Sequence, residues 1–272
     1  MNSDAPLDAI QHAAAEQFSK QSHRYGKGHI LENVSDVRAA LAEIETLDPQ
    51  THLLSGRGLP VLDVAAGAGH TGLLLAELGH TVTLADISDA MLERCREHAA
   101  ARGLSVVTQQ TCAEHLPFPD ASFSLLTCRV AAHHFSDVDG FLRETNRVLK
   151  PGGWFLLIDG SIDDDRPVAE AWLHRIEKLR DPSHGRFLSP REWRTRCSAA
   201  GLQVESAHLH PLKQPDLEWY FETANTPAAN RAEVLDLVEH APPEARDVFH
   251  LQRENGKIVW YWPRLTLLAR KP

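Results

Sequence analysis

The sequence predicts an α/β fold built around a mostly parallel sheet with helices on both faces. Short apolar runs alternate with helical segments between residues 59 and 159, the pattern of repeated β-α-β units. One run ends in Gly67-x-Gly69-x-x-Gly72 directly before a helix, as in Rossmann-like domains. After Asp159 the alternation stops, which indicates a differently built C-terminal part.

The elements follow a regular order. Two N-terminal helices are predicted at 7–20, which is Ala-rich, and at 32–47, which stops before Asp48-Pro49. Predicted strands then follow at 59–65, 81–85, 104–109, 123–130 and 154–159, and predicted helices at 70–79, 88–102 and 136–149. Glycines or Pro151-Gly152-Gly153 close the helices, which supports these boundaries.

The C-terminal part mixes helical stretches, prolines and two further strands. Helices are predicted within 161–180 and at 190–200, and strands at 202–209 and 257–270. We expect an N-terminal helical lid over 1–50, a core over 51–160, and the remaining sheet over 161–272. The insertions 161–189 and 211–256 are predicted to form a cap over the core, which would hold the acceptor site.

Composition narrows the class of protein. The chain of 272 residues has a net charge of -9 and scattered Lys and Arg, so nucleic acid is not an expected partner. No apolar run reaches the ~18 residues of a membrane span, and the N-terminus has no signal-peptide pattern. Four cysteines without CxxC spacing favour reduced thiols. We expect a cytoplasmic monomer or homodimer that does not bind membranes.

The glycine-rich turn admits two ligands. Gly67, Gly69 and Gly72 would let a ligand approach the backbone closely, and the pattern alone also fits a dinucleotide. Asp63, at the end of the first strand, is poorly suited to a pyrophosphate and favours a cationic ligand such as S-adenosylmethionine (SAM). Asp86 ends the second strand and could bind ribose hydroxyls of either ligand, so it does not discriminate.

Four stretches between residues 63 and 153 form an ordered set of motifs. They are Asp63-Val64-Ala65-Ala66-Gly67-Ala68-Gly69, Asp86-Ile87-Ser88-Asp89-Ala90-Met91-Leu92, Ala113-Glu114-His115-Leu116-Pro117-Phe118-Pro119-Asp120-Ala121-Ser122-Phe123 and Arg147-Val148-Leu149-Lys150-Pro151-Gly152-Gly153. In this order they resemble the core of class I SAM-dependent methyltransferases, over residues 61–160. The resemblance is greatest to the group that includes ubiquinone/menaquinone-type C-methyltransferases and small-molecule methyltransferases.

The resemblance implies a seven-stranded sheet whose last strand, 257–270, is antiparallel, and a set of residues around SAM. The implied cofactor-binding residues are Tyr25, Asp63, Ala65, Gly67, Gly69, Asp86, Ile87, Met91, Ala113, Glu114 and Arg129. By the same resemblance, Asp86 binds the ribose and Arg129 lies near the methionine carboxylate. Cys112 and Ser124 depart from the pattern, since related sequences often carry Asp at both positions.

Histidines supply the candidate catalytic groups. His133 and His134 follow the fourth strand at the ligand-binding edge of the sheet, and His184 lies in the predicted cap. A structural role for each remains the alternative interpretation. No four-ligand pattern is visible, so we expect no metal.

Three functions are compatible with the sequence. The first is a SAM-dependent methyltransferase that acts on a small organic acceptor through carbon, oxygen or nitrogen. The others are an NAD(P)-dependent oxidoreductase and a protein that binds SAM without turnover. The sequence has no (Asn/Asp/Ser)-Pro-Pro-(Tyr/Phe) tetrapeptide, which argues against amino methylation of nucleic-acid bases. Its lack of clustered cysteines argues against arsenic methylation.

Overall fold

A computed structural model describes residues 7–24, 30–56 and 58–272, and contains a seven-stranded sheet. Its nine strands are β1 Pro60–Val64, β2 Thr81–Asp86, β3 Val107–Gln110, β4 Phe123–Arg129, β5 Leu149–Gly160, β6 Gln203–Lys213, β7 Gln252–Glu254, β8 Lys257–Val259 and β9 Tyr261–Arg270. The large sheet has the order β3-β2-β1-β4-β5-β9-β6, and β9 pairs antiparallel with both β5 and β6. The predicted fold class is confirmed.

Helices cover both faces of the sheet. They are α1 Ala9–Gln21, α2 Ser35–Leu47, α3 His70–Glu77, α4 Asp89–Ala101, α5 Val138–Val148, α6 Pro167–Arg180, α7 Pro190–Ala199, α8 Leu217–Ala224, α9 Ala228–Glu239 and α10 Pro243–Val248. On one face, α2 and α3 pack against Val61, while on the other α5 and α7 pack around Leu62 and Val64. Alternate residues of β1 thus enter separate cores, as expected for a parallel strand covered on both sides.

The helices of the two predicted insertions pack around one apolar cluster. Trp172 of α6 stacks on Phe249, with ring centroids 5.2 Å apart, and donates a hydrogen bond from Nε1 to the Leu237 carbonyl at 2.9 Å. Tyr220 of α8 meets Trp260 edge to face, with centroids 4.8 Å apart. Aromatic side chains therefore join 161–189 to 211–256 above the sheet.

The prediction of one continuous last strand over 257–270 is wrong for its first residues. Residues 257–259 pair with β7 in a separate two-stranded hairpin, and only Tyr261–Arg270 joins the large sheet. Asn255 and Gly256 both have positive φ, 50° and 78°, which is the geometry of a tight two-residue hairpin turn. This turn pairs Lys257–Val259 with the preceding residues.

The described N-terminal helices approach the carboxyl edge of the sheet. Ser19 of α1 hydrogen-bonds Ser88 at 2.9 Å, and Gln11 donates to Glu114 at 3.1 Å. No helix within the described residues is long and apolar enough to cross a membrane.

Candidate functional site

A large cavity opens at the carboxyl ends of β1, β2 and β4, where ligands of such sheets usually bind. The segments of its wall come from the glycine-rich turn, the ends of β2 and β4, helix α1 and the cap. The residues that line the cavity include Ala65, Gly67, Asp86, Ile87, Met91, Cys112, Ala113, Glu114, Arg129, Val130, His133, His134, Arg180, Asp181, Trp219, Thr223, Trp262, Arg264, Gln11, Ala14 and Phe18.

The turn after β1 is built for close approach of a ligand. Gly67 has φ 56°, and a Cβ placed on it would meet nothing within 4 Å, so the backbone there faces open space. Ala65 also has a positive φ, 53°, in a region that non-glycine residues seldom occupy. The turn therefore leaves room for a bound group directly above the backbone, which fits SAM.

Asp86 lies on the cavity wall at the end of β2, and backbone donors fix its carboxylate. Oδ2 accepts a hydrogen bond from the Gly67 N–H at 2.8 Å, and Oδ1 accepts one from the Ser88 N–H at 2.9 Å. Burial raises the pKa of Asp86 to about 6. Each carboxylate oxygen keeps a further lone pair, so Asp86 can still accept hydrogen bonds from ribose hydroxyls.

Asp63 does not lie on the cavity wall. Its Oδ2 accepts a hydrogen bond from the Gly72 N–H at 3.0 Å, and its Oδ1 accepts one from the Thr127 hydroxyl at 2.6 Å. Burial raises the pKa of Asp63 to about 6. The expectation that Asp63 contacts a cationic ligand directly is therefore corrected: the side chain ties the start of α3 to β4 beneath the glycine turn.

Gly69 also lies off the cavity wall, contrary to the expected contact with SAM. It precedes α3 with φ 86°, and an added Cβ would come within 3.1 Å of Cys95 Sγ. Its conformation and close packing explain why glycine occupies this position. Gly69 shapes the turn, while Gly67 faces the cavity.

The residues expected around the adenine line one end of the cavity. These are Ile87, Met91, Ala113 and Glu114, and Cys112 lies beside them at the position where related sequences often have Asp. Glu114 Oε1 accepts hydrogen bonds from the Ser136 N–H at 3.1 Å and from its hydroxyl at 3.2 Å. Their roles toward the adenine stay predictions.

Arg129 ends β4 and binds the segment before α2. Its Nε donates to Asp36 Oδ2 at 3.0 Å, while Nη1 and Nη2 donate to the carbonyls of Leu31 and Asn33 at 2.9 and 2.7 Å. Arg129 thus holds residues 31–36 at the cavity edge, and its expected contact with the methionine carboxylate stays a prediction. Tyr25, expected in the same region, lies outside the described residues.

His133 and His134 reach the cavity in a short 3-10 helix after β4. His133 Nδ1 lies 2.7 Å from Asp159 Oδ1, and the His133 N–H donates to Asp159 Oδ2 at 3.0 Å. A carboxylate oxygen can only accept, so the proton of this contact belongs to Nδ1 and Nε2 carries the lone pair of a neutral ring. Asp159 thus fixes both the orientation and the tautomer of His133.

His134 is a weaker candidate for proton transfer. Its Nδ1 contacts the Ser183 carbonyl at 3.1 Å, and its ring meets Phe18 edge to face, with centroids 5.0 Å apart. Burial, with His133 beside it, lowers the pKa of His134 to about 4. His134 is therefore neutral near pH 7 and joins helix α1 to the cap.

His184 does not border the cavity. It is 1% exposed, and its ring packs against Phe187 and His133, with centroid distances of 4.7 and 5.3 Å. Burial lowers the pKa of His184 far below its usual value. The expectation that His184 supplies a catalytic group is corrected, because its ring lies behind the cavity wall.

Strain accompanies the histidines at the end of β4. Val130 lies on the cavity wall with φ 55°, a conformation that is rare for a β-branched side chain. Such outliers cost on the order of 1–3 kcal/mol and cluster at functional sites. The segment that carries His133 is thus held in place by the surrounding fold.

Comparison with known proteins identifies the family. Residues 62–157 match the model of a family described as a methyltransferase domain. The chain is 38% identical over 210 residues to an uncharacterized methyltransferase, YcgJ, from Bacillus subtilis. The aligned region covers 76% of this chain and 82% of YcgJ. The chain belongs to the SAM-dependent methyltransferases.

Two further comparisons, one with a solved structure and one with a curated relative, agree with this family assignment. The crystal structure of YcgJ superposes with a TM-score of 0.75 at 34% identity, covering 86% of this chain and 98% of YcgJ. A ubiquinone/menaquinone biosynthesis C-methyltransferase, UbiE, of Shewanella oneidensis is 42% identical over 178 residues, covering 61% of this chain and 67% of UbiE. SAM is the cofactor, and the oxidoreductase alternative finds no support.

Several residues at or beside the cavity of the methyltransferase were not predicted. Asp159 could have been found, because a carboxylate at the end of a buried strand next to β4 lies at the ligand-binding edge. Arg180 is the last residue of α6 and Asp181 directly follows it, and the end of a helix carries no sequence signal for a ligand-binding site. Arg264 lies within the last strand and belongs to no motif.

Proposed function

We propose that this methyltransferase methylates a small organic acceptor and that His133 takes the acceptor's proton. The observation that supports this proposal best is that His133, on the wall of the same cavity as the glycine turn and Asp86, is hydrogen-bonded to the buried Asp159. The hydrogen bond at 2.7 Å leaves His133 Nε2 as the proton-accepting atom. Histidine suits this task because it changes protonation near neutral pH.

The reaction requires that the acceptor atom, the methyl group and the sulfur be aligned, and that one proton be transferred. When bound, SAM supplies a methyl group on a sulfonium, which leaves as a neutral thioether. The glycine turn and Asp86 would hold SAM, and His133 Nε2 would receive the proton that the acceptor loses when it takes the methyl group. Orientation by the cavity walls lowers the barrier, and a positioned base adds roughly 10²–10⁴-fold in rate.

The cap supports a small acceptor. Trp219 and Thr223 of α8 and Trp262 of β9 line the cavity on the side of the histidines. Aromatic walls with a few polar groups are typical of small-molecule sites.

We also propose that the enzyme works in the cytoplasm as a monomer or homodimer, without binding nucleic acid or membranes. Its four cysteines are all unpaired and buried, which supports a reducing compartment.

Turnover of an acceptor library tests the proposal. Release of S-adenosylhomocysteine (SAH) is measured with SAM and each acceptor, first with the unaltered protein and then with His133→Gln. We expect at least one small acceptor to be methylated, and His133→Gln to reduce that rate by roughly 10²–10⁴-fold with unchanged SAH affinity.

His208→Gln is the matched control. His208 is 64% exposed on β6 and does not line the cavity, so this variant should retain full turnover. If His133→Gln turns over as fast as His208→Gln, His133 is not the base and the enzyme works by alignment alone. If no small acceptor in a broad library is methylated while SAM binds, the proposed acceptor class is wrong.

A further inference from the structure

Three arginines line the cavity within the described part of the chain, and two of them are well satisfied. Arg129 donates to Asp36 and to two carbonyls, as described above. Arg180 donates to the Tyr220 carbonyl at 3.0 Å and to Thr223 Oγ1 at 3.2 Å, and lies 4.3 Å above the Tyr220 ring. Arg264 differs from both.

Arg264 is 6% exposed, yet its guanidinium makes few hydrogen bonds. Nη1 makes one long contact, 3.5 Å, with Asp36 Oδ2, an oxygen that Arg129 already shares. Nε is buried without a hydrogen-bond partner among the described residues. A guanidinium has five N–H donors, and leaving buried donors unpaired is unfavourable, so this arrangement calls for an additional acceptor group.

The neighbouring carboxylates do not fill this role. Asp159 lies near Arg264, but its oxygens accept hydrogen bonds from His133 and from the Gly160 N–H at 2.8 Å. Burial and the nearby Arg129 lower the pKa of Arg264 to about 10, and the group is still charged at pH 7. A buried, charged and under-bonded guanidinium therefore remains at the cavity wall.

The position of Arg264 in the sheet separates it from the glycine turn and Asp86, although Asp36 Oδ2 contacts both Arg264 and Arg129. Sheet order places β9 three strands from β1, and neighbouring strands lie about 4.8 Å apart, so β9 is roughly 14 Å from the glycine turn's strand. Arg264 shares this side of the cavity with Trp262, two residues earlier on the same strand face, and pairs in register with Gly160, next to Asp159.

We propose that Arg264 binds a carboxylate of the acceptor, so that the substrate is a small carboxylic acid. This inference rests on the proposed function and adds the class of acceptor. A guanidinium binds a carboxylate through two parallel hydrogen bonds, which also orients the molecule. Asp36 and Asp159 nearby favour a singly charged carboxylate over a doubly charged phosphate. The apolar part of the acid would pack on Trp262 and Trp219, with its nucleophile toward His133.

Binding to the SAH-saturated protein tests the inference without turnover. Benzoate, phenylacetate and hexanoate are each compared with their neutral amides by calorimetric titration. We expect at least one acid to bind about tenfold or more tightly than its amide. Arg264→Gln should abolish that preference and leave SAH affinity within about twofold, which also shows that the variant is folded.

The control is Arg175→Gln, which replaces an arginine of α6 that is 61% exposed and absent from the cavity wall. This variant should keep the preference for acids. Equal binding of every acid and its amide, or an unchanged preference in Arg264→Gln, overturns the inference. Loss of SAH affinity in Arg264→Gln also overturns it, because the carboxylate bound there would then be that of the cofactor's methionine.

His133→Gln separates this inference from the proposed function. Since His133 is assigned to proton transfer, that variant should retain the preference for acids in the same titration. If it does while turnover is unaffected by the substitution, the proposed base is wrong and the carboxylate site stands. If the preference for acids is missing while His133→Gln abolishes turnover, the proposed function stands and the carboxylate site is wrong.

Discussion

The two sides of the cavity are built from different chemistry. The side predicted to bind SAM, here called the cofactor side, is formed by the glycine turn and by Asp86 and Glu114, carboxylates held by neighbouring backbone N–H groups. The opposite side, proposed to bind the acceptor, carries an imidazole and a guanidinium: His133 in the short 3-10 helix after β4, and Arg264 on β9. Carboxylates suit the cationic SAM, whereas basic groups suit an acceptor that gives up a proton. The contrast indicates that the two ligands are held by separable sets of residues.

After His133→Gln, the largest expected effect on the acceptor side comes from Asp159→Asn. Asp159 accepts hydrogen bonds from His133 Nδ1, His133 N and Gly160 N, and an amide cannot accept all three. We expect turnover to fall by roughly 10²-fold or more, because His133 loses its tautomer and orientation. SAH affinity should stay the same.

The split between kcat and KM distinguishes this positioning role from a general loss of packing. With His133 misoriented, kcat for SAH release should fall in Asp159→Asn, while the KM for SAM and the Tm stay close to those of the unaltered protein. A lowered Tm with a matching loss of SAH affinity would assign Asp159 to stability only.

On the cofactor side we expect SAH affinity to depend on pH near 6. The pKa of Asp86 in the free protein is raised from 3.8 to about 6, and ribose hydroxyls bind its ionised form best. Affinity should therefore rise as pH increases through 6, by up to about tenfold per unit below it, with proton release on binding. Calorimetry in buffers of different ionisation enthalpy measures both.

Asp86→Asn should remove this dependence and leave weak binding at every pH. The same raised pKa has the opposite sign for folding: burial of Asp86 favours its protonated form, so its contribution to stability is full below pH 3.8 and lost as pH rises through about 6. An affinity that is flat from pH 5 to 8 in the unaltered protein would contradict the ribose assignment.

A smaller effect is expected from Gly185→Ala. Its Cβ would lie 2.7 Å from the His133 carbonyl oxygen, which already accepts the Gly185 N–H at 2.8 Å. The crowding should cost about 1–3 kcal/mol of unfolding free energy and shift the His133 segment. We expect a lower Tm and turnover reduced by less than about tenfold, with unchanged SAH affinity.

Gly103→Ala is the matched control for this substitution. Gly103 has φ 66° with nothing within 4 Å of an added Cβ, and it is absent from the cavity wall. Its replacement should also lower Tm, through backbone strain, but leave turnover unchanged. Equal turnover in the two variants would mean that loop 181–189 does not position His133.

The sequence could name residues for the predicted cofactor side because they lie in contiguous motifs. The turn at Gly67 and the strand end at Asp86 each lie within a short motif whose strand–turn–helix context is local. Asp63 lies off the cavity wall for a physical reason: burial and hydrogen bonds to Gly72 and Thr127 hold its carboxylate beneath the glycine turn. A motif gives position along the chain but not the direction of a side chain.

The acceptor side was only partly predictable because its groups converge from distant segments. His133 could be named from its position after β4, but its partner Asp159 lies 26 residues later, and Arg264 lies on the last strand of the sheet. His184 looked equally suitable in sequence and proved to be buried behind the wall. Long-range packing of the cap decides these cases.

The most direct test of separable ligand sites is SAH affinity, measured by calorimetry on Asp86→Asn and His133→Gln side by side. We predict that Asp86→Asn weakens SAH binding by about tenfold or more, since hydrogen bonds to a charged carboxylate contribute roughly 1.5–3 kcal/mol each. We predict that His133→Gln binds SAH within about twofold of the unaltered protein. Unchanged affinity in Asp86→Asn, or an equal loss in both variants, would contradict the division of the cavity into a cofactor side and an acceptor side.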